Sequence, residues 1–115
     1  MRLETRKLLY DVEQAAALVE KFTRGRGLAE YREDAMLRSA VERQFEIIGE
    51  ALNRLSQSDP GTAERITEHR RIVAFRNVLI HGYDAVSDEV VWDIVETKLP
   101  VLRRELEGIL GGGRA

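Results

Sequence analysis

Apolar residues recur along this chain at three- and four-residue steps, the period of a helix buried on one side. Leu9, Val12, Ala16 and Val19 mark a first helix over about Glu4 to Thr23. "RGRG" (Arg24 to Gly27) closes it, since glycine tolerates the left-handed conformation that ends a helix. A second helix is expected from Ala29 to Ser56, where Leu37, Val41, Gln44, Ile48, Leu52 and Leu55 form one stripe. Met36, Ala40, Ile47 and Ala51 form another stripe beside it. So wide an apolar face needs neighbours on two sides, or another protomer. "SQSDPG" (Ser56 to Gly61) reads as a turn.

A third helix is expected over Ala63 to Ile80, ended by Gly82, with "YDAVSDE" as a short connection. Ser87 suits the N-cap of the last helix, with Val90 as its third residue and Asp88 and Glu89 favouring the positive end of its dipole. That helix carries Val91, Trp92, Ile94, Val95, Leu99, Leu102, Leu106 and Ile109. Pro100 lies inside it and should kink or break it, because it lacks a backbone donor and crowds the preceding turn. No strand pattern or internal repeat is visible. The expected fold is all-α, an antiparallel bundle of four main helices. It forms a single domain over 1–115, with 111–115 as a flexible tail.

Composition narrows the function classes. With 115 residues, 43% apolar and 33% charged, the chain can build one modest core. No apolar run approaches 18 residues and the N-terminus has no signal-like segment, so no membrane association and a cytoplasmic location are expected. Cysteine is absent, which removes disulfides, thiolate metal sites and cysteine nucleophiles. A net charge of −2 gives no global pull on polyanions. A local one exists: "RITEHRRIVAFR" (Arg65 to Arg76) holds four arginines and one histidine against a single acid, Glu68. A run of this kind is also what a solvated helix face looks like.

That run leads into "RNVLIHGY" (Arg76 to Tyr83), the most chemically capable stretch of the sequence. Arginine offers a fork that fits phosphate oxygens, and histidine, with an ordinary pKa near ~6.5, moves protons near neutral pH. Asn77 can hydrogen-bond a phosphate or ribose hydroxyl, and Arg70 and Arg71 can add phosphate contacts. These roles suit metal-independent RNA cleavage, in which a 2′-hydroxyl attacks the adjacent phosphorus. Residues five apart on an ideal helix stand about 140° apart. A site joining Arg76 to His81 therefore expects the helix to end near Ile80, so that His81 turns back at Gly82. A histidine capping a helix end, an arginine in a surface ion pair and a packed Tyr83 are the bland alternatives. No metal is expected, since His69 and His81 are 12 apart and cysteine is missing. No cofactor is expected either.

"RNVLIHGYD" followed by "VVWDIVETKLPVLRREL", together with the earlier "AMLRSAVERQFEIIGEALNRLS", resembles the HepT-like branch of the HEPN superfamily. Those are small helical toxins paired with a minimal nucleotidyltransferase antitoxin. The likeness runs from about Leu8 to Leu110. It implies a homodimer whose paired motifs share one cleft, with ribonuclease activity through Arg76 and His81. It also implies that Tyr83 is the acceptor for nucleotidylation by the partner enzyme. An alternative of another class is a non-catalytic module that presents nucleotide or substrate to a nucleotidyltransferase. A third is a structural dimerising bundle, with apolar contacts from the second helix.

Overall fold

Leu8, Leu9, Val12, Ala15, Ala16 and Val19 are all buried along one side of α1 (Leu3–Thr23). The computed structural model describes residues 1–111, so most of the expected tail at 111–115 lies outside the described residues, while Gly111 ends a helix. Gly25 takes φ +75° after α1, the left-handed turn for which the glycine was expected there. α2 (Leu28–Glu33) and α3 (Ala35–Ser58) follow. The single helix expected over Ala29 to Ser56 is therefore split at Asp34. Its backbone is extended, and its carboxylate accepts the Leu37 N–H at 3.0 Å, the N-cap geometry that favours aspartate.

α3 is the central element and packs against both α1 and α5 (His69–His81). The Thr5 hydroxyl near the start of α1 donates to Asp59 just beyond α3 at 2.9 Å, so α1 and α3 run antiparallel. The wide apolar face of α3 serves these two neighbours inside one protomer. Ala51 is in the core, Ala40 and Ile47 are half-buried, and only Met36 of the second stripe is freely exposed. Phe45, rather than Gln44, fills the first stripe.

The third expected helix begins later than Ala63. α4 (Pro60–Ala63) is a single turn capped by Asp59, and the chain then loops to His69. Glu68 has φ 57°, a left-handed backbone that no helix passes through. This loop is tied down by Glu105, which accepts both the backbone N–H and the hydroxyl of Thr67, at 3.0 and 2.6 Å. Beyond α5 come a 3₁₀ turn (Tyr83–Ala85) and α6 (Asp88–Asp93). Ser87 caps α6 by accepting the Val90 N–H at 3.3 Å, as expected. The interruption expected near Pro100 takes the form of a π turn (Ile94–Lys98) before α7 (Leu99–Gly111). The Leu99 N–H reaches back five residues to the Ile94 carbonyl, absorbing the place where proline cannot donate.

The described residues are thus all-α, with four long helices, α1, α3, α5 and α7. α7 closes on α1 through Arg103, which donates to Glu20 at 2.6 Å and Glu13 at 3.0 Å. The Arg103 guanidinium beside Glu20 holds that carboxyl below the usual range. Among the described residues, no helix is long and apolar enough to cross a membrane.

Candidate active site

α5 lies antiparallel to α3, and one glycine sets how close it comes. A Cβ added to Gly49 would stand 2.2 Å from the Arg76 Cβ and 2.8 Å from its Cγ. Only glycine lets the two backbones approach here. The stem of Arg76 lies over that gap. Its guanidinium donates to Glu50 Oε2 at 2.6 Å and to Asn77 Oδ1 at 2.9 Å. Glu50 also receives Arg54 Nε at 3.0 Å, so one carboxylate holds two arginines. The Arg76 Nε is buried with no partner. Both terminal nitrogens are tied to neighbours while the side chain stays 24% exposed, so an incoming acceptor would meet those nitrogens and not the buried Nε.

α5 remains helical through His81, its last residue, so the expected turn-back after Ile80 does not occur. Gly82 closes the helix at φ −119°, outside the left-handed region, with its N–H bonded to the Val78 carbonyl at 2.8 Å. Arg76 and His81 of one chain consequently stand about 140° apart around α5. Arg76 faces α3, whereas His81 is exposed on the outer side. Asn77 accepts from Arg76 and lies four residues before His81, on the same face as that histidine. Tyr83, at the start of the 3₁₀ turn, is 75% exposed just beyond.

Arg70 and Arg71 do not converge on Arg76. Arg70 pairs with Glu64 at 3.2 Å beside a polar cavity between α3 and α5. Arg71 pairs with Glu68 at 3.2 Å on the rim of a separate apolar cavity of about 370 Å³ against the π turn and α7. The arginines that do approach Arg76 are Arg43 and Arg54. Both belong to α3 and, with Glu50, Ile47 and Ile80, line a groove of about 310 Å³ that contains Arg76. His69 is buried at the start of α5. Among the described residues, no group of three or more histidine or acidic side chains is placed to hold a metal ion.

Sequence reasoning missed Gly49, Glu50 and Arg54. Glu50 and Arg76 are 26 positions apart, and on the sequence Glu50 is one more acid on a charged helix face. The available signal was the glycine inside a long helical stripe, which costs helix stability and so implies a close backbone approach.

Comparison with known proteins bears out the family resemblance. The family described as ribonuclease HepT-like matches residues 12–109. A Methanocaldococcus jannaschii protein named as a candidate RNase is 33% identical over 104 residues, covering 90% of this chain and 94% of the relative. A probable ribonuclease HepT of Thermococcus cleftensis is 32% identical over 110 residues, covering 93% and 96%. No solved structure matches the chain. With a family match spanning nearly all of α1 through α7, and relatives aligned over almost their whole length, this protein belongs to the HepT-like ribonuclease family.

Proposed function

We propose that this protein is a metal-independent endoribonuclease, the toxin of a toxin–antitoxin pair, that works as a homodimer. The observation that carries the reading is Arg76, held by Glu50 and Asn77 in a groove, with an exposed His81 on another face of the same helix end. One chain presents these two side chains on different faces of α5, and a two-fold axis passing beside that helix would let one protomer complete the other. α5 has apolar surface to spend on such a contact, since Ile80, which lines the groove with Arg76, is 38% exposed. In the paired site one His81 takes the proton of the ribose 2′-hydroxyl as it attacks phosphorus. The other gives a proton to the departing 5′-oxygen, which leaves a 2′,3′-cyclic phosphate. Two Arg76 side chains stabilise the charge gathering on the phosphoryl oxygens.

Tyr83 is the modification site in this reading. Its exposed ring lets a minimal nucleotidyltransferase antitoxin attach nucleotidyl groups to the hydroxyl, and the added phosphate would compete for Arg76 with the RNA phosphate. Co-expression with the cognate transferase should raise the intact mass by whole nucleotidyl units in the wild type and leave Tyr83→Phe unmodified. The decisive experiment is cleavage of RNA by the purified protein in EDTA. His81→Ala should reduce the rate by roughly 10²–10⁴-fold, the usual share of general acid–base catalysis, with melting unchanged. Undiminished cleavage by His81→Ala removes the catalytic assignment. A wild type that binds the transferase and never cuts RNA is a non-catalytic binding module instead.

A further inference from the structure

A second cavity, also about 310 Å³, opens along the same seam between α3 and α5, one to two turns from Arg76. Asn53 sits one turn beyond Glu50 on α3, and Val73 one turn before Arg76 on α5. His69, Ser56, Glu64 and Arg70 complete the lining used here. His69 is 7% exposed, and among the described residues no hydrogen bond ties its ring. Its ring nitrogens are not buried unsatisfied atoms, so the ring meets the open cavity with a donor and an acceptor to offer. The half-buried Asn53 amide beside it likewise makes no side-chain hydrogen bond there. Ser56 donates its proton to the Asn53 carbonyl at 2.7 Å and so faces the cavity as an acceptor.

The chemistry of this lining selects its ligand. An isolated anion wants donors and a cation wants acceptors, whereas an amide and an imidazole offer both at once. A nucleobase edge presents the same alternation, and Val73 provides an apolar wall for its face. Arg70, paired with Glu64 at 3.2 Å on the exposed rim of the cavity, can reach the phosphate of that nucleotide. Position fits as well. His69 is seven residues from Arg76, about 10 Å along the helix axis, which an RNA strand crosses in a few nucleotides. Arg70, Asn77 and His81 follow one another along one side of α5, within about 20° of a common line.

From this arrangement we infer that the His69–Asn53 cavity is a base-recognition subsite, which reads one unpaired nucleobase at a fixed short offset from the cut. This inference rests on the ribonuclease reading above. The test is cleavage of a randomised single-stranded RNA pool with sequencing of the cut ends. The wild type should favour one base or base class at a single position within a few nucleotides of the cut, beyond the two that flank it. Asn53→Ala should weaken that preference at least tenfold at that position alone, and His69→Gln, which keeps a donor and an acceptor, should alter it. Uniform base usage in the wild type, or an unaltered preference in Asn53→Ala, overturns the subsite while the ribonuclease reading stands. If no RNA is cut, that reading fails, and sequencing the RNA retained by the protein decides the subsite alone. Enrichment of one base that Asn53→Ala loses supports it, and retention without enrichment overturns it.

Discussion

α1 buries eight of its 21 residues and α3 eight of its 24, whereas α5 buries two of 13. The first two helices meet through leucine, isoleucine, valine and alanine packed to full burial. The third leans on α3 by one side only, with Leu79, Ile72 and Phe75 as its apolar contacts and a charged Arg76 in the seam. This division places chemistry where packing demands least. Side chains on α5 are free to be arginine, asparagine and histidine because few of them hold the bundle together. Their scaffold is the helix beneath, which gives up one side chain at Gly49 to bring Arg76 against Glu50.

The contrast is sharpest in a pair of truncations. Leu52→Ala, at a fully buried position of α3, should cost about 2–5 kcal/mol of unfolding free energy. Val78→Ala on the outer side of α5 should change it by less than about 0.5 kcal/mol. Chemical denaturation of both variants measures this directly. Comparable losses would mean that α5 is as much a part of the core as α3. In that case a catalytic explanation of defects in α5 variants would need independent support.

Gly49→Ala probes the boundary between the two regions. Alanine gains roughly 0.8–1.0 kcal/mol in intrinsic helix preference over glycine. Against that, its methyl would meet the Arg76 stem at 2.2 Å, far inside contact distance, so α5 must move away. Overpacking of this kind costs about 1–3 kcal/mol, and the net expected change is a loss. RNA cleavage should fall further than stability does, because the same displacement carries Arg76 off Glu50. A more stable Gly49→Ala protein would show that α5 rides loosely enough to yield, and the seated geometry of Arg76 would lose its cause.

Much of this scaffold was legible in the sequence, and the parts that were not share a physical reason. The stripe of α1 depends on local periodicity alone, and its bounds were read to within a residue. Leu99, Leu102, Leu106 and Ile109 were likewise read as the apolar side that α7 buries. Asp34 splits the second helix with an aspartate N-cap three residues before Leu37, a signal present in "EDAML" and outvoted by the longer stripe around it. The left-handed backbone at Glu68 carries no residue-type signal, since glutamate rarely adopts it. Arg76, Asn77, His81 and Tyr83 could be picked out by residue type and spacing. That Arg76 turns inward while His81 stays on the helix and outside depends on α3, and no reading of α5 alone contains it. Arg70 and Arg71 looked like one cluster in sequence, yet 100° of helical rotation sends them to different cavities.

Glu50→Gln tests whether the seam positions Arg76 or merely neutralises it. Glutamine keeps the shape and an acceptor but loses the charge that holds Arg54 and Arg76 together. Glu50 is 38% exposed, so stability should shift by less than about 1 kcal/mol. Misplacing a transition-state contact costs far more than that: kcat should drop roughly 10- to 100-fold with a smaller change in KM. Glu50→Asp, which keeps the charge on a shorter stem, should recover part of the loss. Equal effects on kcat and KM would instead make Glu50 a substrate-binding group.

The smallest effect lies at the other end of α3. Burial pushes the Glu42 carboxyl above its usual range, with Asp88 and Glu46 adding repulsion and Arg38 opposing them. An acid with a raised folded pKa binds its proton more tightly when folded. Its contribution to stability is therefore lost as pH rises from the unfolded value of about 4.3 through the folded one. At neutral pH the penalty is fully present. Glu42→Gln should remove it and stabilise the protein, by less than about 1 kcal/mol because the group is partly solvated. Asp59 behaves oppositely: hydrogen bonds from Thr62 and Thr5 hold its carboxyl below the usual range, so its contribution is present above pH ~4 and lost on acidification. Thermal melts of wild type and Glu42→Gln at pH 7 and at pH 4 separate the two groups. The gain from Glu42→Gln should shrink at the lower pH, where glutamate is itself protonated in the folded state. A gain that is the same at both values would assign it to packing or helix preference rather than to charge.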